Sequence, residues 1–413
     1  MTELPKYPAK SHCPTKILIL SKLWLVNCAH ILSFPRLQHP LILPNKEGTM
    51  SKPKDLRSLI DLTKTTQALL THYQSSLAPT KDAVPTSETE IADPLDVIRA
   101  STKLLKSHTT TLSLLLINPP LTPSAIIAKI GDVTSGPLNS MVTAASYIPR
   151  EGQKGDIGDI MRTEVKAQVR RLLGTWGEVL AMILKMAEKR QSAKGKDAGP
   201  TESEKQEVLS STGVLWDVCD ALLKLCEDGV VGLVVKKAQE YRAVLLDAIE
   251  ELKEWGEDVE DDDDEVEGSD DEDEIFGASN KIGKDNKELK ELLDTSVKKL
   301  KMIGMLYQAL IKRRLKTYPA SSTLEPAAAT NGAASPPCKK LDALVNTLKT
   351  IPETVDDIAG AFYDLDEDEA KETLDKCCGE ANSAIELVRQ SWAGEDDEFT
   401  AWSGKWASAL KAA

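Results

Sequence analysis

The chain has 413 residues and a formal net charge of −14, set by 65 acidic and 51 basic side chains. Hydrophobic residues make up 41% of the chain but aromatic residues only 4%, so its core must be mainly aliphatic, which suits the packing of helix on helix. The seven cysteines form no C-x-x-C pair, which argues against a disulfide framework, and the excess of acid disfavours direct binding of nucleic acid.

Residues 1–49 differ from the rest of the chain, because they hold six prolines and three of the five histidines. The apolar run at 17–26 faintly resembles a signal peptide, but Lys22 interrupts it and no clear cleavage site follows. We interpret residues 1–49 as a disordered extension, or as sequence upstream of a true start at Met50. A helical pattern begins directly after Met50.

Residues 50–255 are predicted to form an N-terminal helical bundle, because apolar residues recur at steps of three and four. One helix has clear boundaries: Asp93-Pro94 gives an N-cap followed by proline at the first helical position, and Pro119-Pro120 ends the helix. Thr122-Pro123 repeats the start signal. Gly136-Pro137 then predicts a kink or split in the next helix.

The clearest helix follows a glycine-rich joint at 152–158. Its apolar stripe comprises Val165, Val169, Leu172, Leu173, Trp176, Leu180, Ile183 and Ala187. We expect Trp176 to be a buried core anchor of the N-terminal bundle. Thr201 and Glu204 form the capping-box pattern of the following helix, and a further helix from Val230 to Trp255 is predicted to close the bundle.

An acidic run extends from Glu257 to Glu274, where fourteen of eighteen residues are Asp or Glu. Such a run repels itself and cannot bury apolar surface, so residues 256–283 are predicted to be a disordered linker between two helical bodies. The run is interpreted as a solvated spacer, as a contact for basic partners such as histone tails, or as a shield for a basic face of the same chain. Ser269, which is followed by three acidic residues, is a candidate phosphorylation site for an acid-directed kinase.

Residues 284–413 are predicted to form a C-terminal helical region with a flexible insert at 319–337. One long helix is expected before the insert and shorter ones after it; their ranges are 286–318, 339–349, 352–363, 367–392 and a last segment holding Trp402 and Trp406. No stretch shows convincing β-alternation. The predicted fold class is therefore all-α, with two helical bodies.

Basic residues near the end of the long helix support two interpretations. Lys312, Arg313, Arg314 and Lys316 form a candidate nuclear-import signal. Cations also suit a solvated helix face and the carboxyl end of a helix dipole, which explains the same residues without a function.

Catalytic chemistry is not expected, because the sequence lacks the Walker, Rossmann, G-x-S-x-G and H-E-x-x-H patterns. Cys219 and Cys226 are spaced as small core residues on one helix face. The Asp364, Asp366 and Asp368 spacing opens like a calcium loop, but glycine is missing at the sixth position, so an acidic helix start is the better explanation. No catalytic, cofactor-binding or metal residue is assigned.

Four stretches resemble the cyclin-D-binding protein family, also called the Grap- and cyclin-D-interacting family. They are STKLLKSHTTTLSLLLINPPLTP (101–123), GPLNSMVTAASYIP (136–149), MRTEVKAQVRRLLGTWGEVLAMIL (161–184) and TGVLWDVCDAL (212–222), the last with an acidic run downstream. The resemblance implies up-and-down helical bundles of the vinculin and talin type. It also implies a non-enzymatic regulator of cell cycle and transcription in cytoplasm and nucleus.

The partners that this resemblance implies are proteins, namely cyclin-like or helix-loop-helix regulators, without a cofactor, direct nucleic-acid binding or a membrane. Two alternatives stay open. One is a cytoskeletal or adhesion-type adaptor, because vinculin-like bundles also serve there. The other is an acidic chaperone for basic proteins, which would depend on residues 257–274.

Overall fold

The computed structural model describes residues 53–79, 91–150, 155–192, 199–257, 286–319 and 337–413. Within these ranges every regular element is helical and no β-strand occurs, which confirms the all-α prediction. The extension at 1–49, Ser269 with nearly all of the acidic run, and most of the 319–337 insert lie outside the described residues. None of the described helices is both long enough and apolar enough to cross a membrane.

Six of the described helices lie between residues 53 and 257. They are α1 (Pro53–Ser76), α2 (Pro94–Ile117), α3 (Pro123–Val133), α4 (Asn139–Ser146), α5 (Asp159–Ser192) and α6 (Glu202–Glu257). A π-helical turn, Thr134–Leu138, joins α3 to α4 and holds Pro137. The proline therefore changes the hydrogen-bonding pattern of the helix at the predicted place, and α4 follows it without a loop.

The last four helices follow residue 286. They are α7 (Lys287–Ala309), α8 (Pro337–Tyr363), α9 (Glu367–Leu387) and α10 (Glu398–Ala412). A π-helical turn and a short 3₁₀ turn extend α7 to Thr317. The single long helix expected over 286–318 is therefore present with a modified last part.

The helix starts are fixed by side chains that the sequence identifies. The Asp93 carboxylate accepts a hydrogen bond from the backbone N–H of Asp96 at 3.0 Å, which caps α2. At the start of α6 the Glu204 carboxylate accepts from the N–H of Thr201 at 2.8 Å, and the Thr201 hydroxyl accepts from the N–H of Glu204 at 3.2 Å. These reciprocal bonds are the predicted capping box.

The first bundle consists of α1 to α5 and the part of α6 before Gly229. In it α5 packs against α1 and α6, while α2 packs against α6. Every residue of the predicted α5 stripe is buried, and Trp176 at its centre is fully inaccessible to solvent. This core is aliphatic apart from Trp176, as the low aromatic content requires.

The second bundle consists of the part of α6 after Gly229 together with α7 to α10. Its core contains Val234, Ala238, Leu245, Ile249 and Leu252 from α6. The sequence analysis assigned this segment to the N-terminal bundle, whereas the structure packs it against α7 and α8. Periodicity identifies the apolar face of a helix but not the element that covers this face, which explains the difference.

The prediction of two helices around Pro352 is wrong, because α8 continues through this proline. A proline has no N–H, so it leaves the carbonyl four residues earlier without its helical hydrogen bond. That carbonyl belongs to Leu348, and the buried hydroxyl of Tyr307 on α7 donates to it at 2.6 Å. The neighbouring helix thus supplies the missing donor.

Candidate protein-interaction surface

The cysteines of the described residues lack the character of nucleophiles. Burial raises the pKa of Cys219 and Cys226 to about 12 and the pKa of Cys338 to about 11, so these thiols are protonated at neutral pH. No group of three or more His, Cys, Asp or Glu side chains is arranged to hold a metal ion in the described parts of the chain. Asp366 caps α9 by accepting from the N–H of Glu369 at 2.9 Å, as a helix start should.

Exposed large apolar side chains are concentrated in two helices. Six of the seven found among the described residues lie on α2 or α6: Leu104, Leu114, Leu209, Val214, Val244 and Leu246, with Met305 on α7 as the seventh. Single exposed leucines are ordinary, but a group on two packed helices suggests a contact surface.

Two electrostatic contacts give the register of α2 against the first part of α6. The Lys106 ammonium group pairs with the Asp220 carboxylate at 2.6 Å, and near Cys226, whose pKa is raised by burial, the Arg99 charge acts in the opposite direction. Residues nearer the start of α2 therefore lie opposite residues further along α6. The two helices run antiparallel.

We define the α2–α6 surface as Leu114, Leu209, Trp216, Lys106 and Asp220. The Lys106 ammonium nitrogen lies 5.4 Å from the centre of the Trp216 ring, so it binds both the ring face and Asp220. Leu114 is eight residues after Lys106, and Leu209 is seven residues before Trp216. In antiparallel helices both leucines thus lie about two turns along from the Lys106 contact, in the same direction.

Trp216 is the least satisfied member of this surface. Its side chain is half-buried, and its indole nitrogen is enclosed yet finds no hydrogen-bond acceptor among the described residues. A buried donor without an acceptor is unfavourable. Because this nitrogen is enclosed, what the α2–α6 surface offers to another protein is apolar contact and the accessible part of the Trp216 ring.

The candidate import signal is not a continuous exposed cluster, because Arg314 is buried. Its guanidinium donates to both oxygens of Asp397, at 2.7 and 2.9 Å, and to the carbonyl of Arg389 at 2.8 Å. It also lies over the Phe399 ring at 4.6 Å. Lys312, Arg313 and Lys316 remain exposed, with Arg313 over the Trp402 ring at 5.6 Å.

This arginine fixes the start of the C-terminal helix α10. The hydrogen bond from Arg314 lowers the pKa of Asp397 to about 2, with the backbone N–H of Thr400 as a further donor. Asp397 is also the N-cap of α10, in a capping box with Thr400. Arg314 is thus a structural residue that joins α7 to α10, and the sequence analysis had no signal for its distant partner.

The other predicted site residues are separated from the α2–α6 surface. Trp176 lies inside the first bundle, and Ser269 falls outside the described residues. The sequence analysis did not single out Trp216. Trp216 directly follows buried Leu215, so its side chain is turned by about 100° around the helix axis from that of Leu215. This difference in direction could have been derived from the positions of the two residues in the sequence.

Residues 97–258 match the sequence profile of the family described as Grap2 and cyclin-D-interacting, N-terminal. The predicted resemblance is confirmed over this region. The match contains α6 and all but the first residues of α2, and hence the whole α2–α6 surface.

Two curated proteins are also similar. The chain is 24% identical over 317 residues to an uncharacterized protein of Schizosaccharomyces pombe, covering 76% of this chain and 84% of that protein. It is 23% identical over 159 residues to the cyclin-D1-binding protein 1 homolog of Danio rerio, covering 38% of this chain and 41% of that protein. The similarity to the yeast protein thus extends well beyond the region that the family profile matches.

Proposed function

We propose that this protein is a non-enzymatic regulator of the cell cycle and transcription, which acts by binding cyclin-like or helix-loop-helix proteins in cytoplasm and nucleus. The family description and the name of the Danio rerio relative both refer to binding of cyclin D. The observation that carries the proposal is the α2–α6 surface, which exposes Leu114 and Leu209 beside the half-buried Trp216 within the matched region.

The surface favours a partner helix with an apolar stripe. Such a helix places anchors at steps of three and four, which suit a shallow seam between two parallel or antiparallel helices. The half-buried Trp216 ring gives the partner an aromatic contact. Aromatic residues in this position frequently dominate the binding free energy of an interface.

Calorimetric titration with a D-type cyclin from the same organism tests this proposal. The variant Leu114→Glu/Leu209→Glu introduces two charges on the surface without changing the buried core. We expect its affinity to fall at least tenfold, equivalent to about 1.4 kcal/mol. Met305→Glu is the matched control, because Met305 is an exposed apolar residue outside the matched region.

Two results contradict the proposal. If the double variant binds as tightly as wild type, the α2–α6 surface is not the binding site. If wild type binds no D-type cyclin, the partner class is wrong. Salt-sensitive histone binding that depends on residues 257–274 would then favour the acidic chaperone, and co-pelleting with filamentous actin would favour the adaptor.

A further inference from the structure

The two bundles are joined at a break inside α6. Gly229 has φ 64° and ψ −168°, a conformation that is accessible almost only to glycine. A Cβ built on Gly229 would meet nothing within 4 Å, so the backbone conformation and not crowding requires glycine there. The helix α6 therefore has its kink at a glycine whose backbone conformation other residues rarely adopt.

The second connection is a carboxylate of one bundle that caps a helix of the other. Asp342 on α8 accepts from the backbone N–H of Asp159 at 2.8 Å and from that of Ile160 at 3.0 Å, at the start of α5. These N–H groups have no partner within α5, and the carboxylate also opposes the positive end of the helix dipole. A side chain of the second bundle thus caps a helix of the first bundle.

The fit at this contact is close. Gly158 precedes α5 with φ +76°, and a Cβ on it would lie 3.1 Å from both carboxylate oxygens of Asp342. Ile160 packs against both cores, and so does Val230 directly after the break in α6. The approach of the Asp342 carboxylate therefore coincides with the apolar contact between the bundles.

The charge of Asp342 is supported only while its carboxylate stays close to the two backbone N–H groups. Asp156 and Asp159 are nearby carboxylates, and both are paired with Arg162, whose side chain is 10% exposed. Burial and these two carboxylates oppose the charge of Asp342, whereas the two backbone N–H groups support it. Among the described residues, the ion pair of Lys237 with Glu164 also joins the bundles but is long at 3.9 Å, and the Cys338 thiol on α8 lies 3.7 Å from the Asp156 carboxylate. Asp342 itself is held by two short hydrogen bonds, whereas these other polar contacts between the bundles are longer.

We propose that Asp342 is a latch that fixes the angle between the two bundles, and that Gly229 is the hinge about which they separate when the latch opens. Opening exposes Ile160 and Val230 together with the uncapped start of α5. The molecule then presents an apolar surface and a row of backbone donors that the closed form conceals. The opening of the Asp342 contact does not depend on which partner binds at the α2–α6 surface.

The test combines small-angle X-ray scattering with hydrogen exchange on the full chain. Asp342→Ala removes both hydrogen bonds, and Asp342→Asn keeps an acceptor for only one of them. We expect both variants to have a larger radius of gyration than wild type, with the alanine variant larger, and exchange of the amides at 159–162 to accelerate about tenfold or more. Amides in the middle of α5 should keep their protection, which distinguishes opening from loss of the bundle.

The control is Glu372→Ala, which removes an exposed carboxylate from α9. Gly229→Ala tests the hinge separately: a Cβ meets no neighbouring atom but the backbone conformation is strained for alanine, so this variant should change the local conformation of α6 and alter the scattering profile. Unchanged scattering in all of the Asp342 and Gly229 variants would refute the inference. Faster exchange at 159–162 without any change in scattering would also refute it, because Asp342 would then be only a local helix cap.

Discussion

The hydroxyl of Tyr307 provides the hydrogen bond that Pro352 withholds from the Leu348 carbonyl. Tyr307 is fully buried on α7, and burial raises its pKa far above the ordinary value, so the hydroxyl stays a donor. Proline inside a helix costs about 3 kcal/mol or more in isolation. The tertiary contact offsets part of this cost, and it explains why a local rule for proline fails at this position.

We expect Tyr307→Phe to destabilise the protein by about 1–3 kcal/mol, because it leaves the Leu348 carbonyl buried without a donor. Urea unfolding of the second bundle measures the change. In a Pro352→Ala background residue 352 regains its N–H and can bond Leu348 directly, so the same tyrosine change should cost much less there. Equal costs in both backgrounds would show that the hydroxyl does not serve this carbonyl.

A substitution of Trp176 tests whether the α5 stripe forms the core of the first bundle. Its removal leaves a large cavity at the centre of the α5 stripe, so Trp176→Ala should cost about 3–5 kcal/mol. Trp216→Ala is the matched control, because the half-exposed ring of Trp216 fills no core volume and its loss should cost clearly less. A thermal midpoint unchanged by Trp176→Ala would contradict the assignment of the stripe to the core.

At the scale of the element, α10 is joined by hydrogen bonds to α7 and to its extension. Arg314 holds Asp397 at the helix start, and the indole N–H of Trp406 on α10 donates to the Met302 carbonyl at 2.9 Å. The folded-state pKa of Asp397 is about 2, below the ordinary value of 3.8. This contribution to stability is therefore complete above the unfolded-state value and is lost as the pH falls through about 2.

Docking of α10 should accordingly weaken between about pH 4 and pH 2. The NMR signal of the Trp406 indole N–H reports on docking, and the Trp216 indole in the first bundle is the internal reference. Asp397→Asn should weaken docking already at neutral pH and remove most of the acid transition. A Trp406 signal that moves identically in wild type and Asp397→Asn would show that another group controls docking.

The elements differ in how far the sequence predicts them. Local signals suffice for the cap at Asp93, the capping box at Thr201 and the helix end before Pro119, because each depends on residues within one turn. The continuity of α8 through Pro352 and the burial of Arg314 depend on partners 45 or more residues away in sequence, at Tyr307 and Asp397. No local pattern reports such partners. The same limit applies to the α2–α6 surface, which needs two helices in register.

At the scale of the whole molecule, the acidic run remains a prediction from sequence. Its charge favours contact with the exposed lysines of α7 and its extension, Lys298, Lys301, Lys312 and Lys316. Each exposed pair contributes only about 0–1 kcal/mol, so the contact should be loose and sensitive to salt. Phosphate on Ser269 should strengthen it.

Deleting residues 257–274 should therefore shift the backbone amide signals of these lysines at low salt and leave them unchanged at high salt. The amide of Arg314 is the control, because its side chain is already paired with Asp397. Identical spectra with and without the run at both salt concentrations would leave only the role of a passive spacer.

The passage of α6 through both bundles also affects how the protein can be divided for expression. A fragment cut to the region of family similarity, 97–258, lacks α1, which covers α5 in the first bundle. It also keeps the α6 segment from Val234 to Leu252 without the α7 and α8 surfaces that bury it. Such a fragment exposes apolar residues at both ends, and we expect it to aggregate. A fragment from residue 53 to residue 233 contains all of the first core instead, so the region of family similarity and the unit that folds have different limits.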